Sequence, residues 1–231
     1  MRVSALAIVV VGGLAAAASA DVVSIDARAA IFDAGRSAPT LGGLLPPMLE
    51  IPAGAEYVTF SDVSGLVRAH PVLQWAGPDG NSATLNDTDI NSYLGISGLV
   101  HPRTLPLVAV FLGEAEPENP APARMDFYAI GSEFTELTPL VQQTYFVGDG
   151  QAVGGEGSLL QKFYVPEGAT RLYLGLADAG YFTGDVDAQD PTAYPDNEGS
   201  FNANVQFHVI PTPGSLALLT MGGAMTFRRR R

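Results

Sequence analysis

Between Asp178 and Glu198 the chain carries six carboxylates, Asp178, Asp185, Asp187, Asp190, Asp196 and Glu198, with no lysine or arginine among them. Gly180, Gly184, Pro191 and Pro195 break the segment into turns. Uncompensated carboxylates crowded into a turn-rich segment repel one another, and a hard cation with flexible oxygen coordination relieves that repulsion. Ca2+ is the cation this chemistry asks for. Counted from Asp185, the spacing puts Asp187 third and Asp196 twelfth, superficially like an EF-hand loop. Position six is Asp190, where that loop needs glycine, and no helical pattern flanks it, so an EF-hand is rejected. The competing reading is an acidic loop solvated by water and holding no metal.

Other chemistries fare worse. With no cysteine, disulfides, thiolate metal sites and cysteine nucleophiles are excluded. There is no Gly-x-Ser-x-Gly elbow, no Walker loop, no Gly-x-Gly-x-x-Gly after a strand and no His-Glu-x-x-His. The glycine-rich stretch 148–157 holds Asp149 and Glu156 but no lysine, so it would repel phosphate and reads as a hairpin loop. His70, His101 and His208 are far apart in sequence, and the first two precede proline, which suits loop or packing roles. The 24 acids offer chance pairs for glycosidase-like chemistry, and no pair stands out by context. The chain is therefore expected not to be an enzyme. A formal charge of −12 excludes nucleic acid as a partner.

The two ends read as addresses rather than as fold. Residues 1–20 begin with Arg2, continue through an apolar run and finish on Ala18-Ser19-Ala20, the small-x-small form of a signal peptide cleaved before Asp21. At the other end come Pro211-Thr212-Pro213, thirteen uncharged residues at 215–227, and four arginines at 228–231. At about 1.5 Å per residue such a helix falls short of a hydrocarbon core of about 30 Å, and the arginines would stay on the cytoplasmic side. A buried helix with a basic end is the other reading. The order of short Pro motif, apolar stretch and arginine cluster resembles the PEP-CTERM sorting signal of bacteria, with Thr in place of the usual Glu. The resemblance implies that 211–231 is a sorting helix in transient contact with the membrane. It also implies export, processing by signal peptidase and an exosortase-type enzyme, and residence at the outer surface or in the extracellular matrix. Removing both ends subtracts five arginines and no acid, leaving 7 basic against 24 acidic side chains, a balance of −17.

What must position the acidic segment is a β domain spanning 21–210. Its apolar segments are short, rich in β-branched and aromatic residues, and separated by turn residues, with 26 glycines and 17 prolines in the chain. Strands are expected at 22–32, 57–62, 107–112, 125–130, 144–147, 159–165, 171–176 and 201–209. Along 201–207 every odd residue is apolar and every even one polar, which sends one set inward and the other to water. The three-proline stretch 114–123 is expected as a surface loop. Ile51-Pro52-Ala53-Gly54-Ala55 and Val165-Pro166-Glu167-Gly168-Ala169 are expected as one reused turn, with Pro second and Gly supplying positive φ. The fold class is all-β, an antiparallel two-sheet β-sandwich of jelly-roll or galactose-binding-like form.

Within residues 50–209, four stretches together resemble the PA-I type galactophilic bacterial lectin, a calcium-dependent β-sandwich. They are Gly77-Pro78-Asp79-Gly80 after Trp75, the strand 107–112, the segment 163–176 leading to Asp178, and Tyr194-Pro195-Asp196-Asn197-Glu198-Gly199-Ser200-Phe201. The resemblance implies one Ca2+ held by the side chains of Asp178, Asp196 and Asn197 and by backbone carbonyls of Ala193 and of Ala69 or His70. Trp75, Tyr181, Phe182 and Tyr194 are then the aromatics placed to face a sugar, ordinary packing being their alternative. The family's His-Pro-x-Gln sugar loop has no counterpart at 81–86. The expected function is an exported, lectin-like, calcium-binding module that takes carbohydrate or exopolysaccharide. The alternatives are a structural matrix module with a structural calcium and, behind it, a carboxylate-dependent hydrolase.

Overall fold

A computed structural model describes residues 20–81, 88–153, 158–180 and 190–209. The expected leader through residue 19, the sorting segment 211–231, Tyr181, Phe182, Asp185 and Asp187 lie outside those residues. Ala20, the last residue of the expected leader, pairs with Gln206.

The described residues form twelve strands: β1 (Ala20–Asp26), β2 (Met48–Glu50), β3 (Ala55–Arg68), β4 (Thr88–Ile90), β5 (Leu99–His101), β6 (Leu107–Leu112), β7 (Met125–Asp126), β8 (Glu136–Leu137), β9 (Thr144–Phe146), β10 (Lys162–Tyr164), β11 (Arg171–Leu176) and β12 (Glu198–Val209). The fold is mostly β, with several antiparallel sheets. A five-stranded sheet runs β1-β12-β3-β10-β8, a four-stranded sheet β2-β11-β6-β9, and a three-stranded sheet β4-β5-β7. Two sheets were expected; a small third one is present, and the β8–β10 and β5–β7 pairs are parallel.

Burial follows side-chain pattern. On β12 the residues Phe201, Ala203, Val205 and Phe207 are buried while Asn202, Asn204, Gln206 and His208 face outward, as the alternation requires. The unbroken apolar run of β6 is buried at every position, so both of its faces are covered. Ring contacts Phe60–Phe163 at 5.2 Å, Phe163–Tyr145 at 5.2 Å and Tyr145–Phe111 at 5.3 Å lead from the five-stranded sheet into the four-stranded one. The two sheets therefore share a core, in which each such side chain contributes about 2 kcal/mol.

Several expected segments end differently. The segment 22–32 leaves the sheet after Asp26, whose carboxylate accepts from the Arg28 backbone N–H at 2.9 Å and turns the chain. The strand expected over 125–130 stops at Asp126, which accepts from Tyr128 N at 2.9 Å and caps a helical turn, α1 (Phe127–Ile130). In the two reused turns Ala55 N donates to Pro52 O at 3.0 Å and Ala169 N to Pro166 O at 3.1 Å, so each proline stands first rather than second. The positive φ of Gly54 (80°) and Gly168 (82°) decides this, because that conformation belongs at the third position. The stretch 114–123 is a loop, as expected. Among the described residues no helix is long and apolar enough to cross a membrane.

Candidate cation site

β11 carries a buried apolar run straight into Ala177 and Asp178, and Asp178 is fully buried. Its backbone is well used: Asp178 N donates to Tyr194 Oη at 3.2 Å, and Thr192 N donates to Asp178 O at 3.2 Å. Its carboxylate is poorly served: both oxygens are enclosed and, among the described residues, neither accepts a well-formed hydrogen bond, the Asn197 amide and the Ala179 N–H only standing near it. Burial drives the Asp178 carboxyl well above the usual carboxylate range, the Asn197 amide and the Ala179 N–H pull the other way, and the charge of Asp196 raises it further.

Asn197 reaches the site from the start of β12. Ala193 adopts a left-handed backbone (φ 70°) that turns the chain into a 3-10 turn at Tyr194–Asp196, and Asn197 N closes it on Tyr194 O at 3.3 Å. The Asn197 Nδ2 donates to Ala27 O at 3.0 Å, which identifies the buried atom left without a partner as Oδ1. Asp196, the residue before, is half exposed, its Oδ2 4.0 Å from His70 Nε2.

The register of β3 on β12 brings up the remaining segment. Arg68 pairs with Glu198, so Ala69 and His70 follow on beside Asn197 and Asp196. The loop 69–75 then returns, Val67 and Ala76 exchanging backbone hydrogen bonds at 3.0 and 2.7 Å. Arg68 is held by Glu198 and by Pro71 O, and its guanidinium lies 4.5 Å from the centre of the Trp75 ring. Trp75 is 45% exposed and leans on Gly199, where an added Cβ would sit 2.8 Å from Cζ3.

The structure thus brings Asp178 beside Asn197 and within reach of the charge of Asp196. Ala193 begins the turn into Asn197, Ala69 follows β3 across from that turn, and Trp75 lies over Arg68 and Gly199. Tyr194 is a correction. Its ring is fully buried rather than ligand-facing, and its hydroxyl donates to Leu176 O at 3.0 Å while accepting from Asp178 N. The glycine at 43 leaves room for it, since a Cβ there would fall 2.8 Å from Tyr194 Cβ and 2.4 Å from Arg28 O. Asp190, another member of the acidic run, accepts from Asn91 Nδ2 at 3.1 Å. Sequence reasoning missed the Ala27 carbonyl that orients Asn197, and it missed the Arg68–Glu198 clamp under Trp75. Neither leaves a local signal, because both depend on which strands pair.

Among the described residues no three carboxylates or imidazoles converge. The oxygen set is one buried carboxylate, one exposed carboxylate and one amide, the donor chemistry of a hard cation such as Ca2+ rather than of a transition metal. In comparisons with known proteins, no family model, no curated protein and no solved structure matches this chain.

Proposed function

We propose that this chain is an exported, surface-associated calcium-binding module, a two-sheet β-sandwich of jelly-roll or galactose-binding-like form that acts by binding and not by catalysis. One observation carries the reading: the Asp178 carboxylate oxygens and Asn197 Oδ1 are buried side by side and, among the described residues, none of them accepts a well-formed hydrogen bond. Buried polar oxygens ordinarily find a donor, and a buried unpaired carboxylate costs several kcal/mol, so a cation is the missing partner. Asp178, Asn197 and Asp196 would hold it with their side chains, and Ala193 and Ala69 or His70 with carbonyls. Bound Ca2+ would supply the positive charge that the chain itself does not place there.

Thermal unfolding of residues 21–210 with calcium and with chelator tests the reading. Calcium at a hundredfold excess over its Kd adds about 2.7 kcal/mol, Mg2+ adds less, and Asp178→Ala abolishes the gain. Equal melting temperatures with calcium and with chelator would overturn it.

The lectin-like side of the proposal is supported by Asp196 and Trp75 both standing half exposed. A sugar exchanging for water on the cation gains little by itself, so neighbouring contacts set a monovalent affinity of about 4 to 6 kcal/mol. A structural matrix module is the second reading, favoured by the inward Tyr194 and by Arg68 stacked on Trp75. Glycan-array binding that calcium supports and chelator removes selects the first reading; silence on every glycan, in a domain that calcium still stabilises, selects the second. Export with processing of both ends, by signal peptidase and an exosortase-type enzyme, rests on the sequence of residues 1–20 and 211–231. Intact mass of protein recovered from cells tests it, a retained Met1 or an intact arginine tail on released protein counting against it.

A further inference from the structure

The residues at the floor of the candidate site also grip the beginning of the fold. Residues 27–30 pass between them. On one side Leu176 N, two residues ahead of Asp178, donates to Ala29 O at 2.9 Å, and Leu176 bridges to Ala30. On the other, Asn197 Nδ2 donates to Ala27 O at 3.0 Å and Ala27 N donates to Gly199 O at 3.0 Å. Leu44 closes the third side, accepting from Ala30 N at 3.0 Å and donating to Arg28 O at 2.7 Å.

The strand that leads into this grip is otherwise held along one edge, paired over its seven residues with β12. Among the described residues β1 has one neighbour, β12, at the edge of the five-stranded sheet. Of its seven side chains only that of Ile25 is buried, and Val22 is 75% exposed.

We infer that the cation site is a clamp on the N-terminal strand: calcium held between Asp178 and Asn197 locks residues 20–30 onto the fold, and its removal frees that segment ahead of the rest. The inference rests on the calcium reading proposed above. Without a cation, Asp178 and Asp196 repel each other across jaws that the Tyr194 hydroxyl, the Thr192 N–H and the Gly180 N–H join, so the cation adds to a hold that is already there. A cation that binds only the closed jaws stabilises the gripped segment, and by linkage the gripped segment tightens the cation. A chain built this way is loose at its N-terminal end where calcium is scarce and fastened where calcium is plentiful. That order suits a protein delivered outward through its N-terminal end.

Hydrogen exchange on the folded protein, with calcium and with chelator, reads the clamp, while calcium binding is followed separately by competition with a chromophoric chelator. Calcium is expected to slow the amides of residues 22–30 by about tenfold or more, and those of the β6–β9 pair by less than about twofold. Reciprocity supplies a second arm: Ile25→Ala loosens β1 without touching any proposed ligand, and should weaken calcium binding by about fivefold. Calcium that binds but slows exchange evenly, or leaves 22–30 unprotected, overturns the clamp and leaves the calcium reading standing. An Ile25→Ala protein whose strand exchanges faster at unchanged calcium affinity also overturns it. Should Ile25→Ala not fold, the wild-type exchange pattern decides alone. No calcium binding at all removes both the reading and the clamp.

Discussion

Asp33 and Asp178 are both fully buried, and their surroundings are opposite. Asp33 closes the 3-10 turn Ile31–Asp33 and is saturated by its own loop. It accepts from Thr40 N at 3.0 Å, from Leu41 N at 3.3 Å and from the Thr40 hydroxyl. Asp178 lies two residues past the end of β11 and, among the described residues, accepts no well-formed hydrogen bond on either oxygen. Burial is the same, so burial does not mark function here. What separates the two is unmet bonding capacity: the Asp33 carboxylate is complete within its own loop, while that of Asp178 is left open by the described residues.

The widest split should come from removing each charge in turn. Asp33→Ala strands the Thr40 and Leu41 N–H groups and should cost about 3 kcal/mol in urea unfolding, with or without calcium. Asp178→Asn should do the reverse in chelator, leaving stability equal or higher because an unpaired buried charge is gone, and should erase the calcium increment. A calcium-independent loss at Asp178, matching that at Asp33, would dissolve the distinction.

Acidification probes the buried ionisable groups in opposite directions. His101 is buried against Phe146, ring centroids 4.6 Å apart, and burial lowers its imidazole to about 4. The unfolded chain therefore holds more protons between about 6.5 and about 4, and stability of about 3 kcal/mol present above that window is lost as pH falls through it. His101→Phe should flatten this slope. Asp178 works the other way, since its native carboxyl binds a proton more tightly than the unfolded chain does. In chelator its contribution improves as pH falls, and calcium cancels the improvement. Subtracting the Asp178→Asn curve from wild type isolates that part; a difference with the same sign as the histidine slope would contradict it.

The smallest effect concerns the mouth rather than the floor. Gly199 has φ 96°, and a Cβ there would lie 2.1 Å from Leu66 O as well as against Trp75. Gly199→Ala should cost about 2 kcal/mol and shift Trp75 fluorescence, yet keep the calcium increment, because Asp178 and Asn197 are untouched. Loss of that increment would make the rim, not the buried oxygens, the seat of binding.

Much of the fold was legible. The spans 107–112 and 171–176 match β6 and β11 residue for residue; 107–112 is an unbroken apolar run between Pro106 and Gly113, with few ways to be read. The pieces missed, β2, β4, β5 and β8, are two or three residues each, too short to show a period. Asp126 shows a local competitor winning, its side chain capping a helical turn where apolar neighbours suggested strand. At the site, the acidic run that holds Asp178 and Asp196 was legible by type and spacing, while Asn197 entered only through the lectin resemblance. Tyr194 was misplaced because an aromatic beside an acidic turn looks the same whether it faces water or core.

By itself the sequence determined a β protein with a strongly acidic, turn-rich segment near its end, because composition and alternation are local properties that survive without knowledge of partners. Only the tertiary structure decided that Asp178 is buried with neither oxygen well bonded by the described residues, that Asn197 is pinned by Ala27, and that Asp33 satisfies itself. These facts depend on which strand lies beside which. Hydrogen-bond capacity is met or left open by neighbours some 170 residues away in the chain, and no local pattern records them.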